Sequence, residues 1–149
     1  MNAQNKLPSR LHHNAYVVKD LETTRQFYED LLGLPLTATW CEKTELFGKE
    51  RVYCHCFFSI ADESALAFFQ FATAEDAAEF GPELPISGFR HIALKVDQDL
   101  QDTMVQRIKD SDYPEDKYYF LEHGYCHSLY MIDPDGLIVE FCTDHPDVD

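Results

Sequence analysis

The stretch HGYCHSLYMIDPDGLIVEF, His123 to Phe141, decides how the rest of the chain is read. Its centre, DPDG, carries turn chemistry. Pro134 presets the first turn position, Asp135 suits the second, and Gly136 accepts the left-handed conformation that closes a three-residue hairpin loop with a bulge. In that register Asp133 flanks Leu137, and counting outward sets Ile132 against Ile138, Met131 against Val139 and Tyr130 against Glu140. Tyr130 and Glu140 then share one face of the hairpin. A carboxylate flanked by Val139 and Phe141 is costly to bury alone, so Glu140 is expected to face water, pair with a cation or bind a metal.

Upstream, the chain contains the same pattern twice. HHNAYVV, His12 to Val18, is followed by a helix-like segment in which Asp20 offers an N-cap and Leu21, Phe27, Tyr28, Leu31 and Leu32 form the stripe. Gly33 is placed to end that helix, and Pro35 stops it continuing. RHIALKV, Arg90 to Val96, repeats the sense of HHNAYVV, and its helix carries Leu100, Met104, Val105 and Ile108. Three β-prone runs follow each helix: TATWCE, RVYCHCFFSI and ALAFFQF in the first half, KYYFLEH, HSLYMI and LIVEFC in the second. The expectation is an α+β chain of two βαβββ modules, about 11–72 and about 89–145, joined by an acidic linker at about 73–88. The polar residues 1–10 are expected to be poorly ordered. Because neither half of such a repeat buries its apolar face alone, residues 1–149 are expected to form one domain.

Setting HNAYVV over HIALKV superposes His13 on His91, and setting FFQF over IVEF superposes Gln70 on Glu140. Alternation puts Ile92, Leu94 and Val96 on a helix-packed row and leaves His91 on the other face, with His13 corresponding to it. Two imidazoles and one carboxylate would then converge where the halves meet. That set leaves open positions for substrate and dioxygen on Fe(II), and suits Zn, Mn or Ni nearly as well. The competing reading is that these histidines are surface or hydrogen-bonded core residues. His12, His55 and His145 are read as bystanders, with His55 pointing away from Cys54 and Cys56.

Composition narrows the partners. With 27 acidic and 12 basic residues the net charge is −15, which argues against nucleic acid and against anionic membrane surfaces. No apolar run approaches the roughly 20 residues of a membrane span, and MNAQNKLPSR lacks the apolar centre of a signal peptide, so a cytoplasmic location is expected. Five cysteines, an odd count lying within strand-like runs, are expected to be reduced thiols.

These motifs resemble the vicinal oxygen chelate superfamily, which includes glyoxalase I, fosfomycin-resistance proteins, bleomycin-binding proteins and extradiol dioxygenases. HHNAYVVKDLETTRQFYEDLLGLPL is similar to its first strand and helix, FRHIALKV to its second opening strand, and LYMIDPDGLIVEF to its closing hairpin. His123 and Tyr130 ahead of Asp133, Pro134 and Gly136, with Glu140 ending the run, resemble the type I extradiol signature. Leu121 stands where that signature has a small or β-branched residue. The resemblance implies a cup-shaped mixed sheet around one metal site, with His13, His91 and Glu140 as metal ligands, His123 and Tyr130 as catalytic groups, and Gln70 and His127 as substrate-binding groups. The implied activity is Fe(II)- and O2-dependent cleavage of a catechol-like or vicinally oxygenated small molecule by a homodimer. Extradiol enzymes carry a further histidine on the last strand of the first module, and ADESALAFFQF has none, which leaves His55 or His127 as substitutes. His127 lies three residues from Tyr130 and so on the opposite face of a regular strand. The alternatives are a glyoxalase-type isomerase or lyase with a divalent metal, in which Gln70 is a fourth ligand, and a metal-free binding protein of the bleomycin-resistance kind.

Overall fold

The computed structural model describes residues 8–81 and 87–146. The expectation of disorder at the N-terminus lies, for residues 1–7, outside the described residues, as does part of the acidic linker, 82–86. The chain is α+β, with two βαβββ modules. Strands β1 (His13–Val17), β2 (Leu36–Leu46), β3 (Lys49–Ser59) and β4 (Ala65–Phe71) form one four-stranded mixed sheet in the order β1-β4-β3-β2. Strands β5 (His91–Lys95), β6 (Tyr118–Glu122), β7 (Cys126–Ile132) and β8 (Ile138–Asp144) form the second, in the order β5-β8-β7-β6. In both, the opening strand pairs parallel with the closing strand and the other pairings are antiparallel. The helices are α1 (Leu21–Arg25), which runs on as a π-helical turn at Gln26–Leu31, α2 (Ala74–Phe80) and α3 (Gln98–Lys109). No described helix is long and apolar enough to cross a membrane.

The described residues fall into two compact units, drawn from Met1–Leu21 with Leu34–Pro82 and from Glu22–Gly33 with Glu83–Asp149. Helix α1 beyond its first residue thus belongs with the second sheet. Side chains explain this placement. Tyr28, fully buried, donates its hydroxyl to Asp133 Oδ2 at 2.8 Å, and the ring of Phe27 packs 5.8 Å from that of Tyr113. Arg107 Nη1 donates to Leu32 O at 3.1 Å, lying where a Cβ on Gly33 would stand; Gly33 itself has φ +80°, so glycine ends the helix for two reasons. With Leu32, Met104, Ile108, Leu129, Met131, Val139 and Phe141, these residues make the core of the second unit.

In α3 Asp97 caps the N-terminus by accepting from Leu100 N at 2.8 Å. The buried stripe is Gln101, Met104 and Ile108, whereas Leu100, expected inside, is 41% exposed. Gln101 occupies a core position because its Nε2 donates to Phe141 O at 2.8 Å and His127 O at 3.2 Å, which satisfies both N–H donors of the buried amide.

The closing hairpin has the register expected from DPDG. Tyr130 faces Glu140, Met131 faces Val139 and Ile132 faces Ile138. Gly136 adopts φ +91°. Asp133 N donates to Leu137 O at 2.8 Å and Gly136 N to Asp133 O at 3.0 Å, and the Asp133 carboxylate accepts from the amides of Asp135 and Leu137, each at 2.9 Å.

The cysteines depart from expectation. Cys41 and Cys54 are bonded as a disulfide, and only Cys56, Cys126 and Cys142 are free. The two half-cystines stand directly opposite in the β2–β3 register, so their side chains meet on one face. Burial pushes the thiol of Cys56 up to about 11, so it is an inert packing group at neutral pH.

Candidate functional site

Alternation and pairing place the second unit's polar groups on one face. His91, Ile138 and Ile132 share a rung, as do Ala93, Glu140, Tyr130 and Tyr119. Glu140, 5% exposed, is the buried carboxylate anticipated from sequence, and it is fully partnered. Ser128 Oγ donates to its Oε1 at 2.6 Å, and His91 Nε2 lies 2.8 Å from its Oε2. Tyr130 packs edge-on to His91, with ring centroids 5.7 Å apart, and its other neighbour, Tyr119, stacks on it at 5.0 Å. His123 Nε2 is 3.0 Å from the Tyr130 hydroxyl. Burial, with the Glu140 carboxylate adding to it, pushes the Tyr130 hydroxyl up to about 12, so it stays protonated and able to donate at neutral pH. Sequence reasoning passed over Ser128; its signal was the two-residue offset from Tyr130, which puts both on the Glu140 face.

On the first unit's sheet, His13, Ala15 and Val17 share a face with Ala65, Ala67 and Phe69 of β4 and with His55, Phe57 and Tyr53 of β3. His13 Nδ1 lies 2.7 Å from His12 Nδ1, and its ring is 6.1 Å from that of His55. His55 stacks on Phe69 at 3.6 Å, and its Nε2 is buried without a hydrogen-bond partner. Burial, then the neighbouring His13, lowers its pKa, which favours the neutral ring. Beside it, Glu42 accepts from the hydroxyl of Tyr53 and, at 3.0 Å, from Trp40 Nε1.

The repeat register corrects one alignment made from sequence. Glu140 pairs with Ala93, two residues after His91, and the corresponding partner of Ala15, two residues after His13, is Ala67. Ala67, not Gln70, is therefore the counterpart of Glu140. Gln70 lies on the opposite face of β4 from His13, where its Oε1 accepts from Leu21 N at 2.7 Å and satisfies an orphan amide at the start of α1. His127 lies on the opposite face of β7 from Tyr130 and stacks on Phe120 at 5.6 Å. His12 and His145 stand apart from Glu140 in sequence and pairing, and His145 contributes its backbone N–H to Tyr125 O.

As a donor set, His91 Nε2 and Glu140 Oε2 are of the right types and on adjacent strands for two ligands of a divalent cation. Ser128 orients the carboxylate as an outer partner would. Among the described residues, no group of three or more His, Cys, Asp or Glu side chains is gathered to hold a metal ion.

The family model described as the glyoxalase/bleomycin resistance protein/dioxygenase superfamily matches residues 10–141. The chain belongs to this superfamily. Several solved structures share the fold over nearly the full length. The fosfomycin resistance protein FosX from Mesorhizobium loti is 21% identical with a TM-score of 0.60, covering 94% of this chain and 95% of its own. A mutant FosX from Listeria monocytogenes, complexed with Mn(II) and 1S,2S-dihydroxypropylphosphonic acid, is 20% identical with a TM-score of 0.62, covering 91% and 92%. Lactoylglutathione lyase from Agrobacterium tumefaciens is 24% identical with a TM-score of 0.59, covering 93% and 96%. At these identities the likeness concerns the fold. No curated protein sequence matches the chain.

Proposed function

We propose that this superfamily member is a divalent-metal-dependent enzyme of small, vicinally oxygenated molecules, and within that class an extradiol-type dioxygenase that cleaves a catechol-like ring with Fe(II) and O2. One observation carries the reading: His123 and Tyr130 are hydrogen-bonded at 3.0 Å on the same sheet face that holds the His91–Glu140 pair. His91 and Glu140 are the proposed ligands, with His13 added on the strength of the family motif. When bound by these residues, a divalent metal would supply Lewis acidity to the vicinally oxygenated substrate.

The chain's own groups do the rest. Tyr130, kept protonated by burial and by Glu140, donates a hydrogen bond to a substrate oxygen. His123 Nε2 accepts from or donates to the same hydroxyl, so a proton can pass between the loop imidazole and the phenol as substrate charge develops. Ser128 holds the Glu140 carboxylate in place by donating to its Oε1. Gln70 and His127, facing away, take no part in the proposed site.

A second reading has a specific observation behind it. Glu140 is buried beside His91 and accepts a hydrogen bond from Ser128, an arrangement that also suits a carboxylate moving a proton at the carbon next to a substrate carbonyl, as an isomerase or lyase would, without O2. Oxygen uptake across a catechol panel, measured with anaerobically purified Fe(II)-loaded protein, separates the two. Uptake with ring-cleaved product supports the dioxygenase. Turnover of a hemithioacetal or epoxide with Zn, Mn or Ni and no uptake supports the isomerase or lyase. Binding of small molecules by a protein that retains no metal would instead place it with the sequestering members. A homodimer is part of the proposal, and its test is sedimentation equilibrium.

A further inference from the structure

The tip of the β2–β3 hairpin is built against local preference. Phe47 and Gly48 adopt φ +54° and +77° between the paired residues Leu46 and Lys49, a two-residue turn with both central positions left-handed. Such turns favour Asn-Gly or Asp-Gly, and a bulky aromatic at the first position is an outlier. That residue gains no burial in return: Phe47 is 81% exposed. Its ring instead stands 5.6 Å from Phe80, at the rim of a cavity of about 340 Å³ in the first unit. The cavity's wall includes Val17, Tyr53, Phe69, Phe71 and Phe80.

The wall chemistry selects the occupant. Arg51 is the cation among the lining residues, and it is committed: Nη1 pairs with Asp76 at 2.6 Å and Glu79 at 2.8 Å, and the guanidinium lies 4.5 Å over the Phe80 ring. The Tyr53 hydroxyl is likewise held by Glu42. A ligand carboxylate or phosphate would meet no open cation there, on a chain whose net charge of −15 already repels anions. An uncharged flat ring would gain apolar burial together with edge and offset contacts to four aromatic walls. The volume lies within the ordinary range for small-molecule pockets and holds one or two fused rings.

We propose that this cavity binds the uncharged aryl group of a small molecule, with Phe47 held in a disfavoured turn conformation to form its rim. The cavity's Val17, Tyr53 and Phe69 lie on the sheet face that also carries His13, but aryl binding does not depend on metal occupancy and its test needs no metal. Titration of the full chain in EDTA with 1-naphthol, followed by calorimetry, reads the site, with 2-naphthoate as the anionic control. The expected result is saturable 1-naphthol binding and much weaker naphthoate binding. Phe47→Asn should raise the melting temperature, because the turn is relieved, and yet weaken 1-naphthol binding by about three- to tenfold. Val17→Trp, which fills the cavity, should abolish binding. Absence of saturable binding to the wild-type chain overturns the proposal, as does equal affinity in both variants. So does concentration-dependent self-association that Phe47→Asn removes and 1-naphthol does not compete with, since the cavity would then hold a side chain of a second copy.

Discussion

Asp133 sits at the junction between helix α1 and the closing hairpin, and replacing it with alanine is the sharpest test of how the second unit is held. Its carboxylate, 5% exposed, accepts from Tyr28 Oη at 2.8 Å and from the amides of Asp135 and Leu137 at 2.9 Å. At about 1 kcal/mol net for each hydrogen bond, Asp133→Ala should cost about 3 kcal/mol. With a urea slope of about 2 kcal/mol/M, the unfolding midpoint should fall by about 1.5 M. Asp133→Asn keeps an oxygen for the two amides and an N–H for the tyrosine oxygen, so it should cost far less. The pH dependence gives a second arm. Burial raises the carboxyl pKa of Asp133 above its ordinary 3.8 despite the lowering effect of its three donors. The native state therefore holds this proton to higher pH than the unfolded chain does. The stability it contributes is complete below the unfolded value and is lost as pH rises through the raised native value. Asp133→Asn should consequently gain on the wild type as the pH rises from about 4 towards neutrality. A midpoint for Asp133→Ala equal to the wild type, or a wild-type-to-Asn difference that is flat with pH, would refute this account of the junction.

Three other outcomes are expected. Tyr130→Phe should retain metal but lose about 10²- to 10⁴-fold in turnover, read as kcat with kcat/KM, because it removes the donor paired with His123. Arg51→Ala should lower the melting temperature clearly, since it leaves the buried Asp76 without the guanidinium 2.6 Å away, whereas Lys43→Ala on the exposed hairpin should not. Reduction of the Cys41–Cys54 disulfide, which spans 13 residues, should cost about 2–3 kcal/mol by denaturant titration, and Cys41→Ser should make stability insensitive to reductant.

What the sequence conveyed and what it hid follow from the range of the interactions involved. DPDG is local: proline, aspartate and glycine dictate the turn, and the turn dictates the register down to Tyr130 opposite Glu140. The order of elements was legible because period-2 and period-3.6 patterns repeat in both halves. Long-range choices were hidden. Residues 22–33 join the second unit because of Tyr28 and Asp133, 105 positions apart, which no local pattern conveys. Gln70 looked like a counterpart of Glu140 because FFQF and IVEF align as strings. The true counterpart, Ala67, emerges only from which residue opposes Ala15 and which opposes Ala93. The Cys41–Cys54 pairing likewise depended on the β2–β3 register, which two adjacent β-prone runs leave free. In the candidate site, the partnered carboxylate was foreseen from its apolar flanks, while Ser128, its shortest hydrogen-bond partner, carried no signal beyond alternation.

The central claim is that His91 and Glu140 hold a catalytic divalent metal. Elemental analysis of protein purified without oxygen tests it most directly. The account predicts about one equivalent of metal per chain in the wild type, in His12→Ala and in His145→Ala, and loss of that metal in His91→Ala and Glu140→Ala. A wild-type chain without stoichiometric metal, or a Glu140→Ala chain that keeps it, would contradict the account.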